Sequence, residues 1–346
     1  MPTNVTPEYK KAEQSFREAQ QPRERLACLK EMLRTIPKHK GTEHLQADIK
    51  TRIKQLSEEL AGPKKGGGRR GPSYTVRPEG AAQIGLVGPP NAGKSSLHAR
   101  LTGSHAEIGP YPYTTKLPQP GMLPLEDIHL QLIDLPPLSA DFMEPWMANA
   151  LQTAHAALLI VDISDPDCVG HIQAIQGRLS RKKILLSENW SGLRSDATTS
   201  GQTEDNDVLT DPFQVILPTI LVANKCDLDP DPDEVKALED LLGLRFPAVT
   251  ASVENGVGLD QIGPLIFKGL RIVRIYTKTP GKDPEMRRPF TLFLGDTVRD
   301  MARLVHKELA DGLKFARVWG SGQFDGQQVG PEHRVQDGDV VELHIK

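Results

Sequence analysis

Cysteine is scarce and scattered. The three thiols, Cys28, Cys168 and Cys226, have neither disulfide nor zinc-site spacing, which argues against a disulfide scaffold or a thiolate metal centre. Long apolar runs are also missing, and nothing approaches the roughly 18 residues that a membrane span needs. No apolar stretch opens the chain as a secretory signal would require. These absences together predict a cytoplasmic protein that works in reducing surroundings and does not partner a membrane. What the sequence does hold is 38% hydrophobic residues over 346 positions, enough to fill packed cores and to exclude wholesale disorder. That length suggests two or three domains.

The net charge of −3 conceals an uneven distribution. Residues 1–72 carry 16 Lys/Arg against 9 Asp/Glu, residues 73–270 carry 13 against 25, and residues 271–346 carry 13 against 11. A basic arm and a slightly basic tail thus flank an acidic middle, an asymmetry that suggests a polyanion partner such as RNA.

Residues 1–61 read as a helical arm. Thr6-Pro7-Glu8 has the form of an N-cap, a first-position proline and a first-turn acid, followed by Tyr9, Ala12, Phe16 and Ala19 at helical spacing. Pro22 opens a second helix with Leu26, Leu29, Leu33 and Ile36 on one face, ended by Pro37. Thr42 starts a third, carrying Leu45, Ile49, Ile53, Leu56 and Leu60. Residues 62–80 begin with GPKKGGGRRGP, which has no apolar residue and reads as a basic glycine-rich linker.

From residue 81 to 270 the pattern becomes strand–helix alternation, which predicts an α/β domain with a parallel-rich sheet covered on both faces. Ile84–Val87, Ile128–Ile133, Ala156–Ile163, Val215–Ala223 and Phe246–Thr250 are the expected strands. Residues 187–212 carry six acids and one arginine, and read as a mobile loop inserted before a central strand. Residues 271–346 form a third unit. Strands are expected at Ile272–Tyr276, Phe290–Leu294, Phe315–Trp319 and Val340–Ile345. A helix capped by Thr297 should carry Val298, Ala302, Val305 and Leu309. This order suggests a ubiquitin-like β-grasp.

The strongest chemical signal is Gly88, Pro89, Pro90, Asn91, Ala92, Gly93, Lys94 and Ser95, a match to G-x-x-x-x-G-K-[ST] between a strand and a helix that begins with Ser96. The glycines let successive backbone N–H groups turn inward on phosphates, and the helix N-terminus adds positive potential. Lys94 reaches the β- and γ-phosphates, and the Ser95 hydroxyl is a Mg²⁺ ligand. The base is chosen by Asn224-Lys225-Cys226-Asp227, at the end of a buried strand. A carboxylate there accepts from guanine N1–H and the 2-amino group, donors that adenine lacks. An ATP-dependent enzyme is therefore disfavoured.

The order of P-loop, Tyr111-Pro112-Tyr113-Thr114-Thr115, Asp134-Leu135-Pro136 and N-K-C-D resembles the Obg-related translational GTPases. The helical arm, the tail beginning Ile272-Val-Arg-Ile-Tyr-Thr, and Asp337-Gly-Asp-Val resemble the branch of the developmentally regulated GTP-binding proteins, which end in a TGS domain. The resemblance implies that Thr115 ligates Mg²⁺ when GTP is bound and that Asp134 holds it through a water. It implies that Asn91 coordinates K⁺ beside the phosphates. It places the guanine-supporting loop at Ser252-Val253, with Thr250-Ala251 as the alternative register. It also implies contact with ribosome or RNA through arm and tail, with Arg287, Arg288, Arg299, Arg303 and Lys307 as phosphate contacts. Trp146, Trp190 and Trp319 read as structural, and His306, His333 and His344 as surface or packing residues.

One departure carries weight. The family has D-x-P-G, and here the run is Asp134-Leu135-Pro136-Pro137. The glycine N–H that would meet the γ-phosphate is absent, because proline has none. Leu138 stands where Ras-like enzymes have a water-orienting Gln. Two functions are therefore expected as rivals: a slow GTPase acting on ribosome or RNA, and a guanine-nucleotide-binding module without switching or catalysis.

Overall fold

A computed structural model describes residues 6–19, 22–37, 42–61, 76–104, 117–139, 142–192, 213–228, 234–243, 245–322 and 324–345. Residues 62–75 of the expected 62–80 linker, Thr115 with its motif, and most of the acidic insertion lie outside the described residues. Two compact units are distinguished: Met1–Ser73 with Ser200–Gln214, and Tyr74–Thr199 with Val215–Lys346.

The first unit contains α1 (Pro7–Glu18), α2 (Pro22–Thr35) and α3 (Glu43–Ala61). Thr6 caps α1 by accepting from the Tyr9 N–H at 3.2 Å, and Pro7 fills a first-turn position whose missing N–H costs nothing. Tyr9, Ala12, Phe16, Leu29, Met32, Ile36 and Ile49 form the core. Phe213 joins them from far along the chain, its ring edge-on to Phe16 at 5.9 Å with the Arg52 guanidinium 4.2 Å from its centroid. The three helices carry ten Lys/Arg against nine Asp/Glu, so the positive surplus of the arm resides in residues 38–40 and 62–72 rather than on the helices.

The second unit opens with β1 (Gln83–Val87), α4 (Lys94–Thr102), β2 (Gln119–Leu125) and β3 (Ile128–Asp134). It continues through α5 (Pro145–Thr153), β4 (Ala156–Asp162), α6 (Cys168–Ser180), β5 (Ile184–Ser187), β6 (Val215–Asn224), α7 (Glu234–Leu242), β7 (Ala248–Thr250) and α8 (Leu259–Leu270). The strand order is β2-β3-β1-β4-β6-β5, with β7 also on β6. All pairings are parallel except β2 with β3, a hairpin. β6 is long enough to pair β5 along Val215–Pro218 and β7 along Leu221–Ala223. Helices cover both sheet faces, so β1 and β4 read as unbroken apolar runs. Ile84, Leu86, Leu158 and Ile160 pack toward α8 on one side, and Val87, Leu159 and Val161 pack toward α5 and α6 on the other. Ser187 closes β5, and buried Trp190 donates its indole N–H to the Thr219 carbonyl at 3.0 Å, so the start of the acidic insertion is structural.

The chain then forms β8 (Ile272–Thr277), β9 (Glu285–Phe293), α9 (Val298–Val305), α10 (Lys307–Asp311), β10 (Leu313–Trp319), β11 (Gln327–Val329) and β12 (Val340–Ile345). The sheet order is β11-β10-β12-β8-β9, with β12 and β8 parallel at the centre, consistent with a β-grasp. Val273, Ile275, Leu292, Ala316, Val318 and Val341 pack against Val298 and Met301 of α9. The single helix expected through Leu309 is two. His306 is extended (φ −166°, ψ 139°), and its Nδ1 caps α10 by accepting from the Glu308 N–H, leaving Val305 exposed. Ile272 belongs to the core of the α/β sheet, and Arg274 binds Asp127, Glu126 and Asp337 while the Tyr276 hydroxyl donates to Asp127 at 2.6 Å.

Candidate nucleotide site

The site lies on one edge of the α/β sheet, at the carboxyl ends of five adjacent strands. β3 ends on Asp134, β1 runs into Gly88, β4 ends on Asp162, β6 ends on Asn224, and β7 leads to Ser252. β1 is where the strand order reverses, the place where open α/β sheets leave a crevice.

Two glycines are fixed by contact. A Cβ on Gly88 would sit 2.2 Å from the Ile160 carbonyl oxygen. One on Gly93, which has φ +91°, would sit 2.3 Å from Asn224 Nδ2. Asn91 also has positive φ (+61°) and is exposed. Such alternation turns backbone N–H groups inward toward an anion. α4 begins at Lys94, with Ser95 and Ser96 in its first turn. Lys94 is 5% exposed and donates to the Gly88 and Pro89 carbonyls at 3.1 and 2.7 Å. Burial pushes its ammonium down to about 8, against the opposing pull of Asp134. Ser95 Oγ donates to Asp134 Oδ2 at 2.5 Å, and Asp134 is fully buried.

At the base end, Asn224 donates from Nδ2 to the Ala92 carbonyl at 2.9 Å, tying the base motif to the P-loop. Its Oδ1 accepts from the Val253 N–H at 3.3 Å. Ser252, wholly buried, donates its hydroxyl to Asp227 Oδ1 at 2.5 Å, while Asp227 itself is exposed. Ser252 and Val253 are thus the residues bonded to the base motif by hydroxyl and N–H, while Ala251 is tied by its N–H to the Ala223 carbonyl and accepts from the Cys226 N–H. Lys225, with φ +67°, turns its ammonium onto Asp162 Oδ2 at 2.5 Å. Burial alone would raise the Asp162 carboxyl; bonds from Lys225 and Ser164 outweigh it and hold the group below its ordinary range.

Two participants escaped the motif reading. Asp162 is opposite Asn224 in the parallel register of β4 and β6, which only strand pairing reveals. Leu138 donates its N–H to the Gly88 carbonyl at 3.0 Å, and Asp134 through Leu138 are buried. The residue after Pro137 is thus bonded back to the P-loop. Thr115 lies outside the described residues.

A family model described as "50S ribosome-binding GTPase" matches residues 83–189, and a TGS domain model matches residues 273–345. The fold and the site therefore define a P-loop GTPase domain joined to a TGS domain. An uncharacterized GTP-binding protein of Methanocaldococcus jannaschii is 27% identical over 370 residues, 93% of each chain. Developmentally-regulated GTP-binding protein 1 of Xenopus laevis is 28% identical over 360 residues, 90% of this chain and 96% of that one. The chain is a GTP-binding protein of the Obg-related GTPase family, in the branch of the developmentally regulated GTP-binding proteins. A crystal structure of a GTP binding protein from Pyrococcus horikoshii matches 76% of this chain and all of that one, at 17% identity and a TM-score of 0.48.

Proposed function

We propose that the chain binds GTP and GDP along these strand ends, hydrolyses GTP slowly, and acts on a ribosome or another RNA in the cytoplasm. The observation that carries the nucleotide reading is one sheet edge holding, in spatial order, the Ser95–Asp134 pair, the P-loop with Lys94, and Asp227 oriented by Ser252. Backbone N–H groups from Asn91 to Ser96 would hold the phosphates at the start of α4. Lys94 would exchange two carbonyl oxygens for phosphate oxygens, whose charge favours its protonated form. Asp227 would accept from guanine, with Ser252 fixing the carboxylate and Val253 offering a backbone N–H close by.

The Ser95 hydroxyl in the first turn of α4, hydrogen-bonded to the buried Asp134 carboxylate at the end of β3, suits a small hard cation such as Mg²⁺, with Ser95 as ligand and Asp134 holding the ion through a water. Ser95 and Asp134 would hold it, joined by Thr115, and when bound it offsets charge on the β- and γ-phosphate oxygens. Asn91, exposed beside the phosphate loop, is where K⁺ would be held. Attack by water on the γ-phosphorus yields GDP and phosphate. Leu138 is apolar and buried, so it cannot orient that water, and the charge of Lys94 is the main catalytic contribution of the described residues. A slow rate follows. The ribosome or RNA reading is supported by the surplus charge of residues 38–40 and 62–72 and by the description of the matching family.

Turnover tests this directly. The full chain in Mg²⁺ with KCl, then with NaCl, should release phosphate above a Lys94→Ala blank, and faster in K⁺. No release in either salt would overturn hydrolysis.

The Pro137–Leu138 geometry favours a second reading, a nucleotide holder that does not switch. Pro137 has no N–H, and the next N–H is already spent on Gly88. On this reading GDP and a non-hydrolysable GTP analogue bind within about threefold of each other. Pro137→Gly should then raise the preference for the analogue.

A further inference from the structure

The β-grasp sheet has two faces. One is packed on α9; on the other, β8 and β9 send Ile272 and Phe293 toward the α/β core. The second half of that outer face, on β10 and β12, has no helix over it among the described residues. Phe315, Arg317 and Trp319 alternate along β10 with the inward Ala316 and Val318, so they stand on this outer face about 7 Å apart. Phe315 is directly opposite His344, their rings stacked 14° from parallel with centroids 4.4 Å apart. Trp319 carries the Lys278 ammonium 4.4 Å from its ring centroid.

The charge of this face is set by where the acids point. Glu342 is directly opposite Arg317 but is buried and faces His344 Nε2 at 2.7 Å. Arg317 is therefore exposed and makes no ion pair among the described residues. Elsewhere in the domain, Asp296, Asp300 and Asp339 accept from nearby N–H and hydroxyl groups, and Asp337 is taken by Arg274. Glu342 shares the outer face with Arg317, and because it is buried against His344 the charges that this strip presents are those of Arg317 and Lys278. Of the expected phosphate contacts, Arg299 and Arg303 are engaged by Glu332 and Asp300.

We propose that the strip Lys278–Trp319–Arg317–Phe315–His344 binds single-stranded RNA, bases stacking on the rings and phosphates meeting Lys278 and Arg317. Aromatic rings interleaved with cations on an open sheet are what an unpaired strand recognises: every base has a π-face, and duplex bases are already stacked. The proposal rests on the RNA reading above and names its surface and the form of RNA.

The test uses the full chain and fluorescein-labelled 12-nucleotide RNA of unstructured sequence, beside the same RNA as a blunt duplex. Anisotropy should report single-strand binding at least about fivefold tighter than duplex binding. Arg317→Gln, at an exposed position, and Phe315→Leu, which keeps apolar volume, should each weaken it about fivefold or more while GDP affinity stays unchanged. The single strand should also quench tryptophan emission, and Trp319→Phe should remove that quench. Wild-type affinity in both variants would overturn the strip while leaving the RNA reading standing. Preference for duplex would overturn stacking. Failure of the wild type to bind either RNA would overturn the RNA reading itself, and a protein partner would then be the occupant to seek.

Discussion

At the scale of single residues, the site divides into what spacing fixes and what strand pairing fixes. The P-loop was legible because its chemistry demands fixed residue types at fixed offsets, and the structure starts α4 at Lys94. Asp227 was legible for the same reason. The partner of Asp227 was not decided by spacing. Both Ser252-Val253 and Thr250-Ala251 suit a supporting loop by spacing, and only the fold shows that the Ser252 hydroxyl lies 2.5 Å from Asp227. Asp162 was invisible because its relation to Lys225 depends on the register of β4 against β6. Ser252→Ala should weaken GDP binding about tenfold, as expected for losing a hydrogen bond to a charged group. Titration of a fluorescent GDP checks it; unchanged affinity would show that Asp227 needs no support.

At the scale of elements, buried parallel strands announced themselves as apolar runs, and the amphipathic helices of the arm as four-residue spacing. β2 was missed because Gln119–Leu125 contains two prolines and a glycine; as an edge strand in an antiparallel hairpin it tolerates them. The break at His306 was missed because nothing in Val298–Leu309 departs from helical periodicity, and a local cap decided it. A second histidine gives the junction between domains a pH dependence. His155 Nδ1 accepts from the Gln83 N–H at 3.0 Å, and its ring is 5.3 Å from Phe293. Burial lowers its pKa. A base with a depressed folded value contributes fully above the unfolded value of about 6.5, and that contribution is lost as pH falls through it. Between pH 7 and 5.5, wild-type melting should fall by about 2–4 °C more than that of His155→Gln. Equal slopes would exclude this histidine as the cause.

At the scale of the whole molecule, the sequence reads as consecutive domains, yet one residue crosses that order. Phe213, after the acidic insertion, completes the core of the helical unit with Phe16 and Arg52. No local pattern could show this, since the contact spans nearly 200 residues. Phe213→Ala should cost the helical unit about 3–5 kcal/mol, read as accelerated amide exchange in α1–α3 with GDP affinity intact. Exchange unchanged in those helices would contradict it. Because the helices are charge-balanced, the electrostatic share of RNA affinity should depend on the cations between and after them. Replacing Lys64, Lys65, Arg69 and Arg70 with Gln should reduce the slope of log affinity against log salt by about 3.

The central claim is that guanine is read by the carboxylate of Asp227. The measurement is competition of GDP and XDP for wild type and for Asp227→Asn, with ADP as control. Wild type should bind GDP far more tightly than XDP or ADP. In the variant the exchanged donor should invert the order, so that XDP binds at least about tenfold tighter than GDP. An unchanged GDP preference in Asp227→Asn would contradict the account.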